Sequence, residues 1–245
     1  MSKVTKIQKH KYENSSWNFE LDQINLYAFW NNAFSKEECQ TIINIAKNKG
    51  LITGKTKGDV KDVRDSKISW LHPADGIDWV FSRVTGMVLN LNERFFKFDL
   101  FGINEGFQFT NYEAPSGKYG KHVDRGLNMP VRKLSISIQL TNPEEYEGGE
   151  LYLYEDDKPI PMEKSQGTLV LFPSYVVHEV MPVTKGERNS LVTWVTGKQF
   201  KWLKQLFMEI LALEDWLTSY LESEYRNKIF YSFTGYNLAN RGTKK

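Results

Sequence analysis

The sequence predicts an α+β chain with a mainly β core, a jelly roll or sandwich of antiparallel strands with supporting helices before it and a further helix after it. Three observations predict this. Between Lys97 and Thr196, short runs rich in β-branched and aromatic residues alternate with clusters of Gly, Pro, Asn and Asp. No helical pattern separates these runs, which argues against βαβ units and for antiparallel sheets. Helical periodicity lies on either side, before Phe96 and after Gln199.

Taken in order, residues 1–23 read as a polar lead-in, and INLYAF at 24–29 as a strand. Ser35 with Glu38 three residues on forms a capping-box start. Ile42, Ile43 and Ala46 recur at helical spacing and Gly50 ends the pattern, so a helix is predicted over 36–49. Residues 51–66, with Gly54 and Gly58, read as a loop before a short strand at 67–71. Ile77, Val80, Val84, Val88 and Leu91 mark a second amphipathic helix within 76–96. Strands are expected at 98–103, 107–113, 132–141, 149–154, 168–172, 175–180 and 189–196. Gly148, Gly149 and Pro173 read as turn residues, and EEYE at 144–147 as a solvated hairpin tip. An apolar stripe from Phe200 to Leu221 predicts the last helix, and 227–245 reads as a tail. The domain division is therefore 1–23, a central domain over 24–198, and 199–245.

Composition narrows the function. The chain has 245 residues, and 40% apolar and 14% aromatic content suits a folded domain. A net charge of +2 provides no field to recruit nucleic acid or an anionic membrane. Cys39 is the single cysteine, which excludes an intrachain disulfide and a cysteine zinc cluster and fits a reducing compartment. No run of about 20 apolar residues occurs. A cytoplasmic protein, monomer or homodimer, is expected.

The chemistry concentrates in two clusters. In GKYGKHVDRG, His122 and Asp124 project from one side of an extended backbone and form a chelating pair. His178, in LVLFPSYVVHEV, lies on a later strand that a jelly roll can return to the opposite sheet. Two imidazoles and one carboxylate suit Fe(II) and leave three coordination positions open. Two imidazoles and one carboxylate also make a legitimate catalytic zinc set, and a non-catalytic jelly-roll binding module is a third reading. In GERNSLVTW, Arg188, Ser190 and Trp194 share a face; Arg188 suits a bidentate grip on a carboxylate, with Ser190 donating to the same group, so an acidic co-substrate is implied. Tyr112 falls on a strand leading into the triad, positioned to donate a phenolic hydrogen bond. Arg125 and Tyr175, beside the triad residues, are candidates for substrate contact at the pocket mouth.

With HVD at 122–124, LSISIQLTNPEEYEGGEL at 134–151, LVLFPSYVVHEVMPVTKGERNS at 169–190, and Tyr112, the sequence resembles the Fe(II)- and 2-oxoglutarate-dependent dioxygenases of the prolyl-4-hydroxylase type, including bacterial and phage-like hydroxylases. The resemblance runs from about Phe98 to Trp194, with a less specific match over 24–71. It implies a double-stranded β-helix and iron ligands at His122, Asp124 and His178. It also implies a 2-oxoglutarate anchor at Arg188, completed by Ser190, with Tyr112 hydrogen-bonding 2-oxoglutarate and Trp194 packed beside the metal pocket. Leu140 stands where animal relatives carry a second cosubstrate-binding tyrosine. The implied reaction consumes O2, with ascorbate as an optional reductant. It releases succinate and CO2 and hydroxylates a C–H bond, of a prolyl residue in a peptide or protein or, alternatively, of a free metabolite or nucleotide.

Overall fold

The structure, a computed structural model, describes residues 25–54, 63–124 and 131–198. The lead-in at 1–23, the predicted C-terminal helix and tail at 199–245, and Arg125 lie outside the described residues.

Strand β1 (Ala28–Trp30) leads into α1 (Lys36–Lys49), whose capping box forms as its sequence predicts: Ser35 Oγ accepts the Glu38 N–H, and the Glu38 side chain accepts the Ser35 N–H. The predicted loop at 51–66 contains two short strands, β2 (Ile52–Thr53) and β3 (Arg64–Asp65), and β4 (Lys67–Leu71) follows where expected. The second helix, α2 (Asp78–Leu91), stops short of the predicted 96 and ends in a wider π-helical turn over Asn92–Phe96, which Asn92 ties off by exchanging hydrogen bonds with the Phe98 backbone.

The β region then runs through β5 (Leu100–Gly102), β6 (Phe107–Glu113), β7 (Lys118–His122), β8 (Arg132–Gln139), β9 (Tyr146–Gly148), β10 (Leu151–Glu155), β11 (Lys158–Pro161), β12 (Leu169–Pro173), β13 (His178–Val180) and β14 (Val183–Gly197). Every pairing is antiparallel. The major sheet has the order β1-β12-β8-β14-β6-β4-β2, and the minor one β11-β10-β13-β7-β3. This is the jelly roll that the sequence predicts.

The major sheet is buried on both faces. Leu134, Ile136 and Ile138 of β8, Leu140 just after it, and Leu191 of β14 pack against Ile42 and Ala46 of α1 and Val80, Val84 and Val88 of α2. Alternation then turns the intervening residues toward the minor sheet, where Tyr112, Val170 and Phe172 meet Leu151, Leu153 and Val180. The helices thus stiffen one face, and the space between the sheets is left to the site.

Three expectations are corrected. His178 does not lie on the sheet opposite His122, because β13 and β7 are neighbours in the minor sheet. Tyr146, read as part of a solvated tip, is buried, because β9 pairs with the start of β14. Leu140 faces the helices rather than the intersheet space, so it is not the residue that stands where a relative's tyrosine would meet a cosubstrate.

Leu171 is wholly buried on the helix side of β12. Leu171→Ala is expected to lower stability by about 2–5 kcal/mol in a denaturant titration, the cost of a cavity that rigid neighbours do not refill. The exposed Phe29→Ala on the same sheet is expected to cost far less.

Candidate metal centre and cosubstrate pocket

His122 ends β7 and His178 begins β13, and the strand register sets them directly opposite one another. Their ring centroids are 4.1 Å apart. Asp124 lies two residues past His122, and its N–H donates to the carbonyl of Ser174 at 3.0 Å, on the turn that leads into β13. The three side chains therefore converge: His122 Nε2 is 3.6 Å from Asp124 Oδ1, and His178 Nε2 is 3.4 Å from Asp124 Oδ2. One ligand atom from each residue lies within 4.8 Å of the others, the spacing of a metal site.

The backbone fixes which ring nitrogens face this point. His122 Nδ1 is 2.8 Å from the Gly120 carbonyl and His178 Nδ1 is 3.0 Å from the Val176 carbonyl. A carbonyl oxygen only accepts, so each Nδ1 carries the hydrogen and each Nε2 presents a lone pair to the shared centre. Tyr119 stacks on the His122 ring at 3.6 Å and restrains it further.

Ionisation states agree with this donor set. Burial opposes the charge on Asp124, but His178, His122 and the Ser135 hydroxyl outweigh it and hold the carboxyl well below its usual range. Burial pushes His178 below the ordinary histidine range, against the pull of Asp124, and so favours the neutral imidazole that binds metals.

Strand β14 supplies the second cluster. Arg188, Ser190, Val192 and Trp194 alternate onto the intersheet face, and Arg188 is paired in register with Tyr112 of β6. The guanidinium lies 5.4 Å from the Tyr112 ring centroid. Arg188 is only 1% exposed, yet none of its three side-chain nitrogens has a hydrogen-bond partner among the described residues. A lone buried guanidinium costs several kcal/mol, so this donor fork is built for an anion. Gly149 makes room for it: with φ of +64°, it has a left-handed backbone, and a Cβ there would sit 2.9 Å from Arg188 Cδ.

One cavity of about 410 Å³ joins the two clusters, with the triad, Arg188, Ser190 and Trp194 all on its wall. The donor set fits ferrous iron, and the orphaned guanidinium at the same cavity fits the distal carboxylate of a 2-oxo diacid. The structure thus brings together His122, Asp124, His178, Tyr112, Arg188, Ser190 and Trp194. Tyr175 sits exposed on the turn before His178 and is not among the residues lining the cavity.

The sequence reading missed several residues at or behind the cavity wall. Arg132 forks onto Glu105 at 2.7 and 2.5 Å, donates to the Asp124 carbonyl at 3.2 Å, and lies 3.6 Å over the Trp194 ring. Arg64, in the stretch read as loop, bonds Gln108 and lies over Tyr119. Ser135 donates to Asp124 Oδ2 at 2.7 Å. Only Ser135 carried a signal, since LSISIQ alternates serines with Leu and Ile and so marks a strand with one polar face.

Comparison with known proteins agrees. Residues 107–196 match the family model of the 2OG-Fe(II) oxygenase superfamily. A PKHD-type hydroxylase of Psychrobacter sp. strain PRwf-1 is 40% identical over 94 residues, 36% of this chain and 36% of its own length. One from Aliarcobacter butzleri is 34% identical over 110 residues, 42% of this chain and 48% of that protein. The matched stretch thus spans a third to a half of these relatives. Among solved structures, a Pseudomonas putida prolyl-4-hydroxylase superposes with a TM-score of 0.59 at 21% identity, covering 71% of this chain and 94% of that one. A prolyl hydroxylase from Trichoplax adhaerens, in complex with a hypoxia inducible factor peptide fragment, gives 0.60 at 21% identity, covering 71% and 84%. These likenesses establish a shared fold. The segment that matches the 2OG-Fe(II) oxygenase superfamily model, residues 107–196, holds the convergent His122, Asp124 and His178 and the buried Arg188.

Proposed function

We propose that the protein is an Fe(II)- and 2-oxoglutarate-dependent dioxygenase that hydroxylates a C–H bond, with a prolyl residue of a peptide or protein as the leading substrate. The observation that carries this reading is the unpartnered guanidinium of Arg188 on the same cavity as the two-histidine, one-carboxylate set. A zinc hydrolase would use the triad but leave the Arg188 fork without a task. A binding module would need neither the fixed imidazole tautomers nor a carboxyl held ionised. The prolyl assignment draws on the prolyl hydroxylases that share the fold and on the PKHD-type hydroxylases that share the sequence.

In this reading His122, Asp124 and His178 hold Fe(II), with O2 as co-substrate. Bound iron with 2-oxoglutarate supplies oxidative decarboxylation to succinate and CO2, coupled to transfer of one oxygen atom to the substrate C–H bond. The chain's own residues orient and exclude water. Arg188 grips the distal carboxylate, with Ser190 and Tyr112 as neutral donors beside it. Trp194, clamped by Arg132, forms a rigid wall next to the centre and keeps it dry. Arg125 and Tyr175 are proposed to meet the substrate. Cys39, a buried thiol whose ionisation is pushed up to about 12 by burial, is inert as a nucleophile and fits a reducing cytoplasm.

The test is anaerobic binding of Fe(II) and 2-oxoglutarate, then succinate release on adding oxygen with a panel of prolyl peptides and metabolites. Absence of iron-dependent 2-oxoglutarate binding would sink the proposal. Two variants sharpen it. Asp124→Ala is expected to abolish 2-oxoglutarate turnover by losing iron, read by metal content and succinate. Arg188→Ala is expected to keep iron and raise the KM for 2-oxoglutarate by about 30-fold to a few thousand-fold, the equivalent of about 2–5 kcal/mol for breaking a desolvated charge pair.

A further inference from the structure

The Asp124 carboxylate has a hydrogen-bonded partner whose orientation can be worked out from hydrogen counting. Ser135, on β8, is wholly buried; its Oγ is 2.7 Å from Asp124 Oδ2 and 3.0 Å from the Oγ of Ser174, which is equally buried. A hydroxyl has one hydrogen, and an ionised carboxylate only accepts. The Ser135 hydrogen therefore points to Asp124, the shorter and charged contact. Its lone pairs face Ser174, whose own hydroxyl supplies the hydrogen of the 3.0 Å bond. The order is Ser174 to Ser135 to Asp124, a chain in which each bond polarises the next. Ser174 also holds Asp124 by the backbone, accepting its N–H at 3.0 Å.

We propose that Ser135 and Ser174 are positioning residues whose hydroxyl relay occupies Asp124 Oδ2 and reserves Oδ1 for the metal, so that Asp124 binds through one oxygen. This rests on the iron site proposed above. An Asp124 that spent both oxygens on the metal would take up room that the cosubstrate and O2 would need there, and the relay withholds one of them. It also couples two elements, because Ser174 lies on the turn that leads to His178, so the carboxylate and the later imidazole are set by one local structure.

The test is anaerobic Fe(II) titration of the full chain, with thermal unfolding of each metal-free variant alongside. Ser135→Ala is expected to bind Fe(II) about 10- to 100-fold more weakly, and Ser135→Thr, which keeps the hydroxyl, close to wild type. Ser174→Ala is expected to weaken binding by less. The double variant should be no weaker than Ser135→Ala alone, because Ser174 acts through Ser135. Unchanged affinity in Ser135→Ala, or losses that add in full, would overturn the relay while leaving the iron site intact. Should Ser135→Ala fail to fold, Ser174→Ala decides: a folded variant with wild-type affinity overturns the proposal, and weakened affinity supports it. A wild type that binds no Fe(II) refutes the iron site itself, and the relay with it.

Discussion

The antiparallel register that sets His178 opposite His122 is the constraint on which the rest of the site depends. Side chains alternate along a strand, so a slip of one residue between β7 and β13 would turn one imidazole out of the intersheet space. That register is held from both sides. On β13, Leu151, Tyr152 and Leu153 of β10 pair with Val180, Glu179 and His178. On β7, Tyr119 and Lys118 pair with Arg64 and Asp65. The intersheet core of Leu151, Leu153, Val180 and Phe172 then penalises any register that exposes it.

A second constraint is electrostatic. The cavity lies in a low-dielectric interior, where net charge is expensive. Arg188 alone leaves an uncompensated guanidinium, and Asp124 alone an anion. With ferrous iron and a doubly charged 2-oxo diacid in place, the dication and guanidinium bring three positive charges, and Asp124 and the diacid bring three negative ones. These charges then cancel. Of the other cavity-wall arginines, Arg132 is paired with Glu105, and Arg64 spends its donors on the neutral Ser66 and Gln108. Arg188 differs from both in having no hydrogen-bond partner among the described residues, as its proposed role toward a ligand requires.

Much of this was legible in the residues because local rules decide it. The capping box and the Ile42, Ile43, Ala46 spacing delimit α1, and β-branched and aromatic density delimits β6. Strand alternation alone puts His122 with Asp124, and Arg188 with Ser190 and Trp194. What was missed depends on partners distant in the chain. β3 is two residues long and exists only because β7 offers it an edge, so Arg64 looked like part of a polar loop. Tyr146 sits among acidic neighbours yet is buried by pairing with Gly186. The parity of Leu140 follows from Ser135 and Ser137 facing the site, which the LSISIQL pattern contains; the comparison with a relative's tyrosine drew attention away from it.

The parts of the site differ in how firmly the fold holds them, and this bears on how chemistry and specificity divide. His122, His178, Arg188, Ser190 and Trp194 all project from paired strands, where ladder hydrogen bonds fix the backbone, and Asp124 is held by Ser174, Ser135 and Arg132. Positions so determined suit groups that must meet a metal and a small diacid within a fraction of an ångström. Tyr175, by contrast, lies on a turn, and loops change length and sequence at little cost to the fold. Under the proposed function, a strand-borne centre beside variable loops would let the chemistry stay fixed while substrate contacts vary. Substrate choice is therefore to be sought in the loops around the cavity rather than in the triad.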